Sequence, residues 1–171
     1  MHDTRQRSCQ RRQVWSLSAV ENLMLWSMRA WVLDRFHGIA LADEIEEAMD
    51  IIGAPGAIRS LDGMMGALNG GALRLIEVNC VCCEEVSADE LALLECLALL
   101  QRDQRAEAAL RLTGLAMPRT LEECAATALP LARQLRQAGH DLPLPAGGGG
   151  GGGGGNVVPF AARPATSSML H

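Results

Sequence analysis

The chain contains no lysine and no tyrosine, and only two phenylalanines and three tryptophans among 171 residues. A core with so few aromatics is filled by Leu, Ala and Met, which favour helices. The long uncharged apolar run that a membrane span needs is missing too. The best window, Ala19 to Phe36, carries Glu21, Arg29, Asp34 and Arg35, and each is costly in a lone span. Arg11-Arg12 has the form of a twin-arginine signal, but Glu21 and Arg29 interrupt the hydrophobic region such a signal requires.

Other absences narrow the chemistry. No Gly-x-x-x-x-Gly-Lys-Ser/Thr phosphate loop occurs, and no pair of Cys-x-x-Cys knuckles. The four histidines are His2, His37, His140 and His171. Three of them lie in or beside segments with little to bury, so a hydrolase triad has little support. The net charge of -5 argues against a general nucleic-acid binder. Every basic residue is Arg, and together with the run of nine glycines from 147 to 155 this reads as coding bias rather than function.

What is present is helical pattern. Ser87-Ala88-Asp89-Glu90 is a capping box, in which Ser87 accepts from the Glu90 amide and the Glu90 carboxylate reaches back to the Ser87 amide. A helix is expected from about Ala88 to Arg102. Its apolar residues fall on more than one face, which places it centrally in a bundle. Ser18-Ala19-Val20-Glu21 opens a second helix, expected to run to His37 and stop at Gly38. Thr120-Leu121-Glu122-Glu123 reads as a third capping box, with its helix ending at Ala138 and Gly139 after it. Pro130 is expected to kink or split that helix.

Between these, Leu41 to Ile52 is the cleanest amphipathic stretch. Leu41, Ile45, Ala48, Met49 and Ile52 share one face, and Asp43, Glu46, Glu47 and Asp50 share the other. The acidic row reads as a solvated face, since it lacks the Glu-x-x-His partner of di-metal bundles. Gly53-Ala54-Pro55-Gly56 breaks the chain. Ile58 to Leu68 and Ala106 to Leu115 supply two further helices. Gly63 and Gly66 weaken the first of these or mark a close helix contact.

The expected fold is therefore all-α: a single-domain irregular bundle of five to six helices over residues 16–140. A basic flexible arm precedes it at 1–15, and a disordered Gly- and Pro-rich tail follows at 141–171. Residues 72–86 are ambiguous. Ile76, Val78, Cys80 and Cys82 alternate as on a strand, while Ile76, Cys80 and Cys83 fit a helical face. With no second strand to pair with, a helix or an extended linker across the bundle is expected.

That stretch holds the one constellation with chemical potential. Cys80, Cys82 and Cys83 lie within four residues, and Cys96 follows on the next helix. The four could be soft-metal ligands, zinc above all, although Cys96 stands about two and a half turns beyond the cap. They could be redox-responsive thiols, with Glu84 and Glu85 opposing ionisation. The favoured reading is plainer: small apolar residues packed in the core. The chain thus reads as a small cytoplasmic helical interaction or regulatory protein without catalysis. A protein partner or a second copy is the expected company, with neither nucleic acid nor membrane. The alternative is a thiol-based zinc-binding or redox-sensing protein that uses Cys80, Cys82 and Cys83.

Overall fold

A computed structural model describes residues 12–144. The expected behaviour of residues 1–11 and of the Gly-rich tail from 145 onward lies outside the described residues. Six α-helices follow one another: α1 Ala19–His37, α2 Ala42–Ile51, α3 Ala57–Gly71, α4 Ala88–Gln101, α5 Arg105–Arg111 and α6 Pro118–Gln137. A short 3₁₀ turn at Val14–Ser16 precedes them. No named strand occurs among the described residues; isolated antiparallel bridges join Gln13 to Glu85 and Ala72 to Ala116. The all-α bundle read from the sequence is the observed fold.

Two helix starts are set by local chemistry. Ser18 caps α1 and Ser87 caps α4, each as a complete capping box with Glu21 and Glu90 at the third helical position. α1 ends at Gly38, whose φ of 66° is open to glycine at no steric cost. α6 ends in a Schellman arrangement. The His140 amide donates to the Leu135 carbonyl at 2.8 Å, and Gly139 takes a φ of 84°.

The start of α6 corrects the sequence reading. Met117 is its N-cap residue, with an extended backbone, and Pro118 occupies the first turn. Proline's fixed φ suits that place, where an amide hydrogen would have no partner. Thr120 therefore lies inside the helix and does not cap it. Its side chain packs on Gly71 at the end of α3. A β-carbon at position 71 would stand 2.7 Å from the Thr120 Cβ, so only glycine fits. Further along the same pair, a β-carbon at Gly63 would meet Thr127 Cβ at 3.2 Å. The α3–α6 packing, the most extensive helix pairing in the fold, thus rests on small residues of α3. Gly66 faces open space and takes no part. Pro130 does not split α6, which continues unbroken to Gln137. Ala126, four residues before it, is exposed, so water can replace the lost amide partner.

α4 is the central helix. Leu93, Leu94, Cys96, Leu97, Ala98, Leu99 and Leu100 are all buried, against α5 and α6 on one side and α1 on another. Met24, Met28, Met49 and Met64, each fully buried, fill the space that aromatics would occupy in other cores.

The packed region also extends past Asp141. The Leu142 side chain is fully buried, and its amide donates to Gln101 Oε1 at 2.7 Å. Gln101 Nε2 donates to the His140 carbonyl, and the His140 ring contacts the Ile52 carbonyl at 2.9 Å. At the other end, residues 12–15 are not a free arm. The Val14 amide donates to the Glu84 carbonyl and the Val86 amide to the Arg12 carbonyl, both within 2.9 Å.

Candidate functional site: a thiol-bearing strap over a buried ion pair

Residues 72–87, between α3 and α4, form neither helix nor strand. Of the two expectations for this stretch, the extended linker is the one found. A connection of this length without secondary structure is uncommon inside a small domain. Such a segment needs partners for its backbone, and charged side chains from the helices beneath supply them.

Glu90 is the hub. The residue is fully buried, and Arg29 on α1, 3% exposed, meets it side-on. Arg29 Nε donates to Glu90 Oε1 at 2.7 Å, and Nη2 donates to Oε2 at 3.0 Å. The same carboxylate accepts from the Ser87 amide at 2.8 Å and from the Asn79 amide at 2.9 Å. Arg29 in turn donates from Nη1 to the Cys83 carbonyl and from Nη2 to the Glu85 carbonyl, both at 2.7 Å. Asp89 repeats the pattern nearby. It receives Arg74 in a fork at 2.6 and 2.7 Å and accepts from the Glu77 amide at 2.8 Å. The Ser87 hydroxyl, besides capping α4, donates to the Glu77 carbonyl.

The strap is thus fastened at Glu77, Asn79, Cys83 and Glu85, and its middle carries the thiols. Cys80 and Cys82 are exposed and Cys83 is half-buried. This overturns the expectation that these three pack in the core. Cys96 and Cys124 do so; both are buried in the helices. Burial pushes the Cys124 thiol up to about 12, and it raises Cys96 further still.

Cys80 Sγ and Cys82 Sγ stand 2.9 Å apart. A turn in which the Cys83 amide donates to the Cys80 carbonyl at 3.0 Å folds the strap at this point. The two thiols are not equivalent. The hydrogen bond with the Cys82 thiol lowers the pKa of Cys80, helped by the backbone amides of Cys82 and Cys83 and by Arg29. Cys82 shifts upward through the same hydrogen bond and the neighbouring Cys80. Sequence reasoning weighed Glu84 and Glu85 against ionisation; the charged group that acts on Cys80 is Arg29.

The four-cysteine set Cys80, Cys82, Cys83 and Cys96 does not assemble, because Cys96 is buried in the body of α4. Among the described residues no group of three or more His, Cys, Asp or Glu side chains is placed to hold a metal ion. No helix among them is long and apolar enough to cross a membrane.

Sequence reasoning missed Arg29 and gave Glu90 only its capping role. A signal for the pair was present. Arg29 interrupts an otherwise apolar run in α1, and a cation amid buried positions requires a buried counter-charge. No protein-family model, curated protein or solved structure matches this chain.

Proposed function

We propose that this protein is a non-catalytic regulatory module whose switch is the Cys80–Cys82 dithiol, closing to a disulfide under oxidant and reopening under a reducing thiol. The observation that carries the reading is the 2.9 Å approach of two exposed sulfurs on a strap held at both ends by buried charged groups. A disulfide needs about 2.05 Å between sulfurs. Closure therefore requires an approach of about 0.9 Å and a change of side-chain torsion, not a change of fold.

The directions of the two shifts, with Arg29 acting on Cys80, support the roles. Cys80, the thiol eased toward ionisation, is the nucleophile, and Cys82 resolves. With hydrogen peroxide as oxidant, the Cys80 sulfur attacks one peroxide oxygen and the O–O bond breaks. Hydroxide leaves and takes up the proton that Cys80 released, giving water. Cys80 is then a sulfenic acid. The Cys82 sulfur attacks the Cys80 sulfur, the S–O bond breaks, and the departing hydroxyl leaves as water with the Cys82 proton. Two thiols and one peroxide become one disulfide and two waters.

Mass spectrometry of the full chain after one equivalent of hydrogen peroxide tests this. The expected product has lost two hydrogens, about 2 Da, with the link inside the tryptic segment 75–102. In Cys82→Ser the reaction is expected to stop at a sulfenic acid on Cys80 that dimedone traps. Reaction first at Cys83, or a cross-linked dimer as the main product, would refute the assignment.

A further inference from the structure

A second surface lies among α1, α2 and α3. A cleft of about 250 Å³ is lined by Trp31, Asp34, Ala42, Ile45, Ile58, Arg59 and Asp62. Its walls are largely apolar, and the apolar surface continues outward. Phe36 packs edge-on against Trp31 with centroids 6.1 Å apart and is itself 55% exposed; Ile39, just beyond α1, is exposed as well. Large apolar side chains gathered around a cleft mark an interaction surface more than scattered ones do.

The charge around it is predominantly acidic, with Arg59 the one basic side chain among the described residues of its wall. Asp34 and Asp62 line the cleft. Each commits Oδ1 to the protein, to the Leu41 amide at 3.0 Å and to the Trp31 indole N–H at 2.9 Å. Among the described residues neither Oδ2 has a protein donor. On α2, Asp43, Glu44, Glu46, Glu47 and Asp50 are all exposed, and no basic residue lies on that helix. Glu46 sits one turn on from Ala42, on the side of α2 nearest the cleft among these acids. No ion pair among the described residues involves any of these acids. Residues 34–62 hold seven acidic side chains against Arg35 and Arg59, a balance of -5, which equals the net charge of the whole chain.

We infer that this cleft docks a basic amphipathic segment of a partner protein. Its apolar side chains would fill the space between Trp31, Ile45 and Ile58, its arginines or lysines would meet Asp34, Asp62 and Glu46, and the other α2 acids would add a longer-range attraction. Carboxylates arranged around an apolar groove favour that partner over an acidic one, because like charges brought together are strongly disfavoured. They also disfavour a nucleic acid or an anionic membrane, both of which carry the same sign. The inference rests on different residues from the thiol switch and stands without it.

The probe is a synthetic helical peptide with Leu on one face and Arg on the other, paired with a twin carrying Glu in place of each Arg. Binding to the full chain is followed by fluorescence anisotropy and by the Trp31 indole N–H signal in NMR. The Arg peptide is expected to bind at least about tenfold more tightly than its twin, with a shift of the Trp31 signal. Ala42→Trp, which fills the cleft and leaves every charge in place, is expected to weaken binding by about tenfold or more. Ala42→Leu replaces it if the larger side chain unfolds the protein. The triple variant Glu44→Gln, Glu46→Gln, Glu47→Gln keeps the cleft and is expected to slow association and flatten its salt dependence. Three results would overturn the inference: equal binding of both peptides, an unmoved Trp31 signal, or cleft-filling variants that fold and bind normally. Self-association of the chain that the cleft-filling variant abolishes would do so too, by making a second copy the occupant.

Discussion

Arg29 and Glu90 are 61 residues apart in sequence and meet through two parallel hydrogen bonds in the interior of the protein. Each carboxylate oxygen accepts twice, and the guanidinium reaches two backbone carbonyls of the strap as well. The pair joins α1 to α4 and ties the thiol-bearing segment to both.

Removal of one partner strands the other. Glu90→Met and Arg29→Met are each expected to destabilise the protein by about 3–5 kcal/mol, because an unpaired buried charge or a vacated set of donors remains. The double variant Arg29→Met, Glu90→Met is expected to cost less than the two single losses added together. Urea unfolding of the four proteins checks this, and additive losses would mean that the pair is not coupled.

The helix glycines separate into two kinds. Gly71→Ala would drive a β-carbon into Thr120 and is expected to destabilise by more than about 2 kcal/mol or to prevent folding. Gly66→Ala meets only open space and is expected to stabilise the protein by up to about 1 kcal/mol, through helix propensity. Thermal unfolding of the two variants should move in opposite directions.

Acid is expected to loosen the strap. Arg74, forked onto Asp89, holds that carboxyl below its ordinary value, and the Glu77 amide adds to the effect. A carboxyl depressed in the folded state contributes stability above its unfolded pKa, near 3.9, and loses it as pH falls through the lower folded value. Asp89→Asn is therefore expected to flatten the acid limb of the stability curve below about pH 4 and to lower stability at pH 7. An unchanged acid limb would assign the acid sensitivity to other groups.

Leu142 marks the far edge of the core. Leu142→Ala is expected to cost about 2–5 kcal/mol, as for other fully buried leucines. A neutral result would show that the Leu142 side chain does not contribute to the core.

Alkylation should rank the thiols. Cys80 is expected to react first and to hold its advantage as pH falls toward neutrality. Cys96 and Cys124 should resist under native conditions, because burial raises both.

The features legible in the sequence are those written within a few residues. Ser18 and Ser87 with their glutamates three positions on are complete local statements, and both helices begin there. The all-round apolar pattern of α4 placed it centrally, as observed. Thr120-Leu121-Glu122-Glu123 has the same outward form, yet Met117 and Pro118 begin the helix earlier, and the contact with Gly71 that employs Thr120 lies 49 residues away in sequence. The exposure of Cys80 and Cys82 was illegible for a related reason. Their short alternating run suits a core as well as a surface, and what decides is the hold of Arg29, Asp89 and Glu90 on the backbone to either side. Ion pairs across such separations leave no periodicity behind.

The separation of Arg29 from Glu90 also bears on the order of events as the chain is made. α1 leaves the ribosome with a cation on its inner face and no counter-charge until 61 further residues have been added. Over that interval, burial of the face around Arg29 would strand the charge, so α1 can form its backbone but not its final seat. On that ground the interior of the first half is expected to close only once α4 is present, with the strap, synthesised just before α4, between them.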